Sequence, residues 1–138
     1  MGRCGWACLG TISLGLFLKG CASTKSIAAP LKADNLILAK TDFIKGDGFY
    51  DYIVIRNAQL RFPMAVFRFS EVRYTAIYLQ CSHQGNELNV YGDKLVCSAH
   101  GSEFDPSGRV THGPATNPLR SFPVQIEDNN ILISLKSV

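Results

Sequence analysis

From Leu36 onward, apolar and polar residues alternate in short runs, and no window of a dozen residues keeps the i, i+3, i+4 stripe of a helix. The pattern predicts strands. Tyr50 to Arg56 (YDYIVIR) and Arg61 to Phe69 (RFPMAVFRF) mix β-branched and aromatic side chains, which suit a pleated, half-buried surface. Pro63 places the second run at a sheet edge or a strand start, because proline has no amide hydrogen for a ladder. Tyr74 to Gln80 (YTAIYLQ) runs straight into Cys81. Glu87 to Tyr91 and Lys94 to Ser98 flank the tight-turn pair Gly92-Asp93 and are expected to form a hairpin. Asp105 to Asn117 (DPSGRVTHGPATN) is dense in Gly, Pro, Ser and Asn and is expected to be loop. Ser121 to Glu127 and Ile131 to Lys136 then make a closing hairpin across Asp128-Asn129-Asn130, with Phe122, Val124 and Ile126 alternating toward a core.

Upstream of Leu36 the pattern changes. Met1 to Gly20 hold Arg3 near the start, an apolar run at Thr11 to Leu18 and small residues around Cys21, the layout of a secretory signal. The run is much shorter than the roughly 20 residues that a membrane-spanning helix needs. Leu18-Lys19-Gly20-Cys21 resembles a bacterial lipobox, from which Lys19 departs by its charge. The resemblance implies a lipoprotein-type signal peptide at residues 1–20 and lipidation at Cys21. Acyl chains would then hold the domain at a membrane of the bacterial cell envelope, outside the cytoplasm. An ordinary signal or an uncleaved anchor are the alternatives. Ala22 to about Asp34 is rich in Ser, Thr, Ala and Lys, so residues 21–35 are expected to be a flexible tether and residues 36–138 the folded domain.

Composition agrees with a single all-β domain. The 138 residues are 46% hydrophobic and 18% charged, enough for one ordinary core. Eight Phe and five Tyr add to the β-forming content. The net charge is +3; without Arg3 and Lys19, 12 basic side chains face 11 acidic ones, or +1, which is no footprint for nucleic acid. No nucleotide fingerprint and no nucleophile with a partner base stand out.

The chemistry lies in two short boxes, Cys81-Ser82-His83-Gln84-Gly85 and Cys97-Ser98-Ala99-His100-Gly101-Ser102. Cys81 and Cys97 could form a disulfide, but a disulfide needs no histidine two or three residues on, and the paired histidines favour metal ligation. Two Cys and two His also suit tetrahedral zinc, although zinc sites use other spacings and have no need of the glycines that follow. Chain turning sharply around an inorganic cluster does need such glycines, for positive φ or close backbone approach. Cys-x-His-x-Gly followed by Cys-x-x-His-Gly-Ser resembles the signature of the Rieske iron-sulfur family. The resemblance implies an antiparallel β sandwich with a cluster-binding subdomain built from two loops. It further implies a [2Fe-2S] cluster with Cys81 and Cys97 on the inner iron and His83 and His100 on the outer iron. Gly113-Pro114-Ala115, Pro118-Leu119 and Phe122-Pro123-Val124 are similar to the family's proline loop, which covers the cluster. His112 is expected to be an exposed histidine outside the ligand set.

The respiratory members carry an extra cysteine in each box, joined as a bracing disulfide. Asn86 and Ala99 stand at those places, so this chain resembles the disulfide-lacking, ferredoxin-like variant. Around the cluster, Gly85, Gly101, Ser102 and Phe104 are the expected tuning residues. Ser102 matches a serine that donates a hydrogen bond to a bridging sulfide in high-potential members. Phe104 replaces a tyrosine whose hydroxyl donates to a ligand sulfur, and losing a donor disfavours the added electron. The acidic neighbours Glu103 and Asp105 are expected to be solvated and to act weakly in the same direction. The expected potential is therefore in the lower-to-middle part of the range of about −150 to +300 mV. What this implies is one-electron transfer to redox partner proteins, by a carrier that is not an enzyme by itself. The alternatives are a fixed subunit of a larger oxidoreductase or, in another class, a zinc-stabilised β binding module. A terminal oxygenase needs a further iron domain for which the chain has no room.

Overall fold

Three consecutive strands, Tyr52–Arg56, Met64–Arg68 and Tyr74–Tyr78, form an antiparallel meander at the centre of the molecule. The computed structural model describes residues 24–136, so the signal-type stretch 1–20 and Cys21 lie outside the described residues. Ser26–Ala28 adds to one side of the meander in parallel with Tyr52–Arg56, and Ser121–Phe122 adds to the other side, making five strands. Met64 through Phe67 are all buried, because both faces of this sheet are covered. Side chains alternate between those faces, and the alternation sorts the meander into two cores. Ile53, Ile55, Met64, Val66, Ala76 and Tyr78 pack with Leu36, Leu38, Ile131 and Ile133 on one side. Val54, Ala65, Phe67, Ile77 and Leu79 face the other way, toward Cys81, Leu95, Cys97 and Phe104.

Each core is closed by its own antiparallel sheet. The first lies under Leu31–Lys32, Asn35–Ala39, Asn130–Ser134 and Val124–Glu127. The second lies under Asn89–Tyr91, Lys94–Val96, Glu103–Phe104 and Val110–His112. The fold is thus all-β, three sheets deep, and helix among the described residues is limited to the 3₁₀ turn Lys40–Phe43. Buried Phe43 in that turn meets the Tyr74 ring edge-on at 5.4 Å. The strand register also gives the central sheet two distinct ends. Ile55, Met64 and Tyr78 lie together at the end leading to Cys81, while Phe67, Arg68 and Tyr74 mark the opposite end.

Two expectations change, and the open placement of Pro63 is decided. Residues 26–32 are not tether: Ser26–Ala28 and Leu31–Lys32 are paired strands, and Ala29 is buried in the first core. The Ala29 amide donates to the Arg56 carbonyl and its carbonyl accepts from the Asn57 side chain, so backbone partners override the polar composition. The stretch Asp105 to Asn117 contains a strand, Val110–His112, because Glu103–Phe104 offers it a pairing edge. Pro63 marks a strand start and not a sheet edge, since Met64–Arg68 is flanked on both sides and the Leu79 amide donates to the Pro63 carbonyl. Ala29→Asp, which buries an unpaired carboxylate in the first core, is expected to destabilise the domain by about 2–4 kcal/mol in a denaturant titration. A tether residue would tolerate that change without effect.

Candidate metal centre

Both boxes sit under the second core, one following Tyr74–Tyr78 and the other following Lys94–Val96. The hairpin of Asn89–Tyr91 and Lys94–Val96 joins them, with Gly92 at φ +61° in its turn and Asn89 paired to Val96 at its base. The two boxes then fold the same way. The Cys81 amide donates to the Asn86 carbonyl at 2.8 Å, and the Gly85 amide to the Cys81 carbonyl at 2.8 Å. The Cys97 amide donates to the Ser102 carbonyl at 2.9 Å, and the Gly101 amide to the Cys97 carbonyl at 2.8 Å. Each glycine has positive φ, +73° at Gly85 and +81° at Gly101, which a β-carbon would strain. A Cβ at Gly101 would meet nothing within 4 Å, so there the demand for glycine is conformational alone.

This shared loop divides the four candidate ligands by environment. Cys81 and Cys97 are buried, unbridged thiols in one apolar cluster with Leu88, Leu95 and Phe104. His83 and His100 are exposed, their rings edge-on with centroids 5.0 Å apart. Among the described residues no three His, Cys, Asp or Glu side chains converge as they would around one ion. Two buried thiols and two exposed imidazoles suit a two-iron cluster that divides them into a sulfur pair and a nitrogen pair. Ser102 is buried, and its hydroxyl oxygen accepts the Ala115 amide at 3.0 Å, which leaves its own hydrogen for a further acceptor.

A third loop binds the two boxes to each other. Asn117 accepts a 2.6 Å hydrogen bond from the Ser82 hydroxyl of the first box through its backbone carbonyl, while Ala115 donates to Ser102 of the second. Its base is tied by the Leu119 amide, which donates to the Gly108 carbonyl at 2.8 Å, and it contains a cis Gly113-Pro114 bond. Ser82, Asn117 and the Asn86 carbonyl did not stand out in the sequence. The equal four-residue step from cysteine to glycine in both boxes was the available signal for the shared loop. His112 is exposed, on a short strand opposite Glu103.

Residues 82–86, 98–101 and 113–118 include no Asp, Glu, Lys or Arg. The two acidic residues that follow the second box, Glu103 and Asp105, are each paired with a cation and half-buried, where the sequence suggested solvated side chains. The Lys94 ammonium lies 2.9 Å from Glu103, and that hydrogen bond holds the Glu103 carboxyl below its ordinary range and raises Lys94. Partial burial pushes Asp105 upward, but hydrogen bonds from Arg109 and Ser107 outweigh it and the net shift is downward. Cations therefore offset both acidic neighbours of the second box.

The description "Rieske [2Fe-2S] domain" fits residues 38–123, more than half of the chain. The iron-sulfur subunit of the cytochrome b6-f complex from a strain of Prochlorococcus marinus is 38% identical over 56 residues, 39% of this chain and 32% of that protein. A solved plasma membrane Rieske protein from the cyanobacterium Synechocystis PCC 6803 is 30% identical with a TM-score of 0.53, over 61% of this chain and 86% of that one. The ferredoxin of Sphingomonas yanoikuyae shares the fold at 22% identity, with a TM-score of 0.54 over 74% of this chain and 99% of its own. The chain belongs to the Rieske [2Fe-2S] domain family, whose members bind a two-iron cluster and transfer electrons. It spans about a third of the length of the curated relatives it matches.

Two outcomes test the support around the boxes. Ser82→Ala removes one hydroxyl-to-carbonyl bond between loops and is expected to cost about 1 kcal/mol in denaturant unfolding. Because Glu103 titrates lower folded than unfolded, its pairing contributes stability that is complete above the ordinary glutamate range and is lost as pH falls through the folded value. Stability measured below about pH 4.5 should therefore fall less steeply with decreasing pH in Glu103→Gln than in the parent.

Proposed function

We propose that this chain moves single electrons through a [2Fe-2S] cluster held by Cys81 and Cys97 on one iron and His83 and His100 on the other, in a protein anchored by lipid at Cys21 to a bacterial envelope membrane. The observation that carries the ligand set is the pair of matching loops, which bury both thiols in one cluster and leave both imidazoles exposed at 5.0 Å. The cluster, when bound, supplies one reversible electron at a site that the apolar wall of Leu88, Leu95 and Phe104 shields on the sulfur side. The exposed histidines give the electron its route to a docked redox partner, and Ser102 offers the hydroxyl hydrogen that stabilises added charge. Phe104 offers no hydroxyl, while Lys94 and Arg109 offset Glu103 and Asp105. The missing donor, and not the acidic residues, then supports a potential in the lower-to-middle part of the range of about −150 to +300 mV.

Attachment at a membrane is supported by the lipobox-like run before Cys21 and by the membrane complexes and plasma membrane named for the relatives. Those same names favour a second reading, a fixed subunit of a larger oxidoreductase, which co-purification from the native membrane would distinguish from a mobile carrier. A single structural zinc finds less support, because no three ligand-type side chains among the described residues converge on one point.

Visible absorption and low-temperature electron paramagnetic resonance, before and after dithionite, test the proposal. A red-brown protein with an anisotropic spin-half signal only when reduced is expected, and His100→Ala should lose the intact cluster. Unchanged absorption in His100→Ala would overturn the ligand set, and a colourless protein with stoichiometric zinc would overturn electron transfer.

A further inference from the structure

The end of the central sheet remote from the boxes has a surface unlike the rest. Five large apolar side chains stand exposed among the described residues: Val72 at 75%, Tyr91 at 62%, Phe49 at 51%, Ile44 at 50% and Phe69 at 40%. Ile44 and Phe49 are paired across the hairpin of Ile44–Lys45 and Gly48–Phe49, and Ile44, Phe49, Arg68 and Glu71 line one hollow. Phe69 and Val72 lie in the turn between Met64–Arg68 and Tyr74–Tyr78. Tyr91 lines a long hollow that runs from Thr24 toward Pro63 and Leu79 at the other end of the sheet. Basic groups lie over the rings: Arg68 is 3.9 Å from the Phe49 centroid, Arg73 4.5 Å from Phe69, and Lys45 5.3 Å from Tyr50. Single exposed apolar residues are ordinary, but a group of this kind gathered at one end is not.

The chain also enters the domain at this end. Thr24 Oγ1 is 3.0 Å from the Tyr52 hydroxyl, and Ser26 pairs with Val54 in parallel, so the first described residue lies at the Tyr52 side of the sheet. Cys21 is three residues before Thr24, a reach of at most about 11 Å even when fully extended. The apolar run Thr11 to Leu18 lies just beyond it.

We propose that this end of the domain rests on the surface of a lipid bilayer, with Ile44, Phe49, Phe69 and Val72 in the headgroup region and the His83 and His100 end turned toward water. The inference rests on the envelope-membrane reading of the upstream segment, which puts this face within that short reach of the lipid. Aromatic and aliphatic tips interleaved with Arg and Lys stems suit an interface, because the stems lie along apolar surface while their charges reach the headgroups. Asp47 and Glu71 lie among the basic residues, so apolar burial drives the contact more than charge does. From Tyr74 to Cys81 the chain can rise at most about 23 Å at strand spacing, which bounds the height of the boxes above the lipid.

Depth-resolved fluorescence of the protein purified from its native host's membranes, as processed there, tests this. In a Trp6→Phe background, a single tryptophan is placed at Val72→Trp or at Thr116→Trp, the latter exposed at the opposite end. The protein is reconstituted into phosphatidylethanolamine and phosphatidylglycerol vesicles with or without acyl-chain bromination. About twofold quenching by brominated lipid at Val72→Trp, with little at Thr116→Trp, is expected for shallow insertion. Protein that sediments with vesicles but shows no quenching at Val72→Trp would overturn the docked face and leave the anchor standing. Quenching only at Thr116→Trp would reverse the orientation and overturn it too. Failure to sediment with vesicles at all would remove both the face and the membrane attachment on which it rests.

Discussion

The bond from a glycine amide to a cysteine carbonyl four residues earlier, made once in each box, is the constraint on which the site depends. It turns the chain back over the cysteine just as the strand before it ends. The thiol stays in the apolar layer under the central sheet, and the next exposed residues carry the imidazoles outward. Since the step from cysteine to glycine is the same in both boxes, the histidine can sit at the second position of one and the third of the other without changing the loop. Positive φ at Gly85 and Gly101 is the local cost, which glycine bears with little strain.

Two loops that meet only through a metal would be loose without it. Respiratory members of the family solve this with a disulfide, and the residues here, Asn86 and Ala99, cannot. The third loop performs the bracing with hydrogen bonds, one from Ser82 to the Asn117 carbonyl and one from the Ala115 amide to Ser102. The second contact is buried, where a missing partner is costly, so Ser102 is held in place by the third loop. The side chain proposed to donate to the cluster is therefore also the one that braces the second box.

The rest of the fold separates tasks by layer and by end. Strand alternation sends one set of side chains into a purely structural core and the other into the core that holds the two thiols. Phe104 and Leu95 share the thiols' cluster, whereas the first core lies on the other face of the central sheet. Along the sheet, the boxes occupy one end, and the exposed apolar residues with the chain's point of entry occupy the other. Glu103 and Asp105 beside the second box are paired with Lys94 and Arg109, and the three loops themselves hold no Asp, Glu, Lys or Arg.

Much of this was legible in the chain itself. Alternating short runs marked the strands, and the cysteine, histidine and glycine spacings marked the two boxes, because backbone geometry around such a loop tolerates few other residues. Asn86, Ala99 and Phe104 already showed which props were absent. The sequence could not show that residues 26–32 belong to the fold, because their composition is that of a linker and their order comes from partners elsewhere, the Tyr52–Arg56 strand and the Asn57 side chain. Nor could it place Val110–His112 in a sheet, join Ser82 to Asn117 across 35 residues, or pair Glu103 with Lys94. Local chemistry is written in neighbouring residues and can be read there; contacts between distant segments exist only once burial of the two cores has brought those segments together.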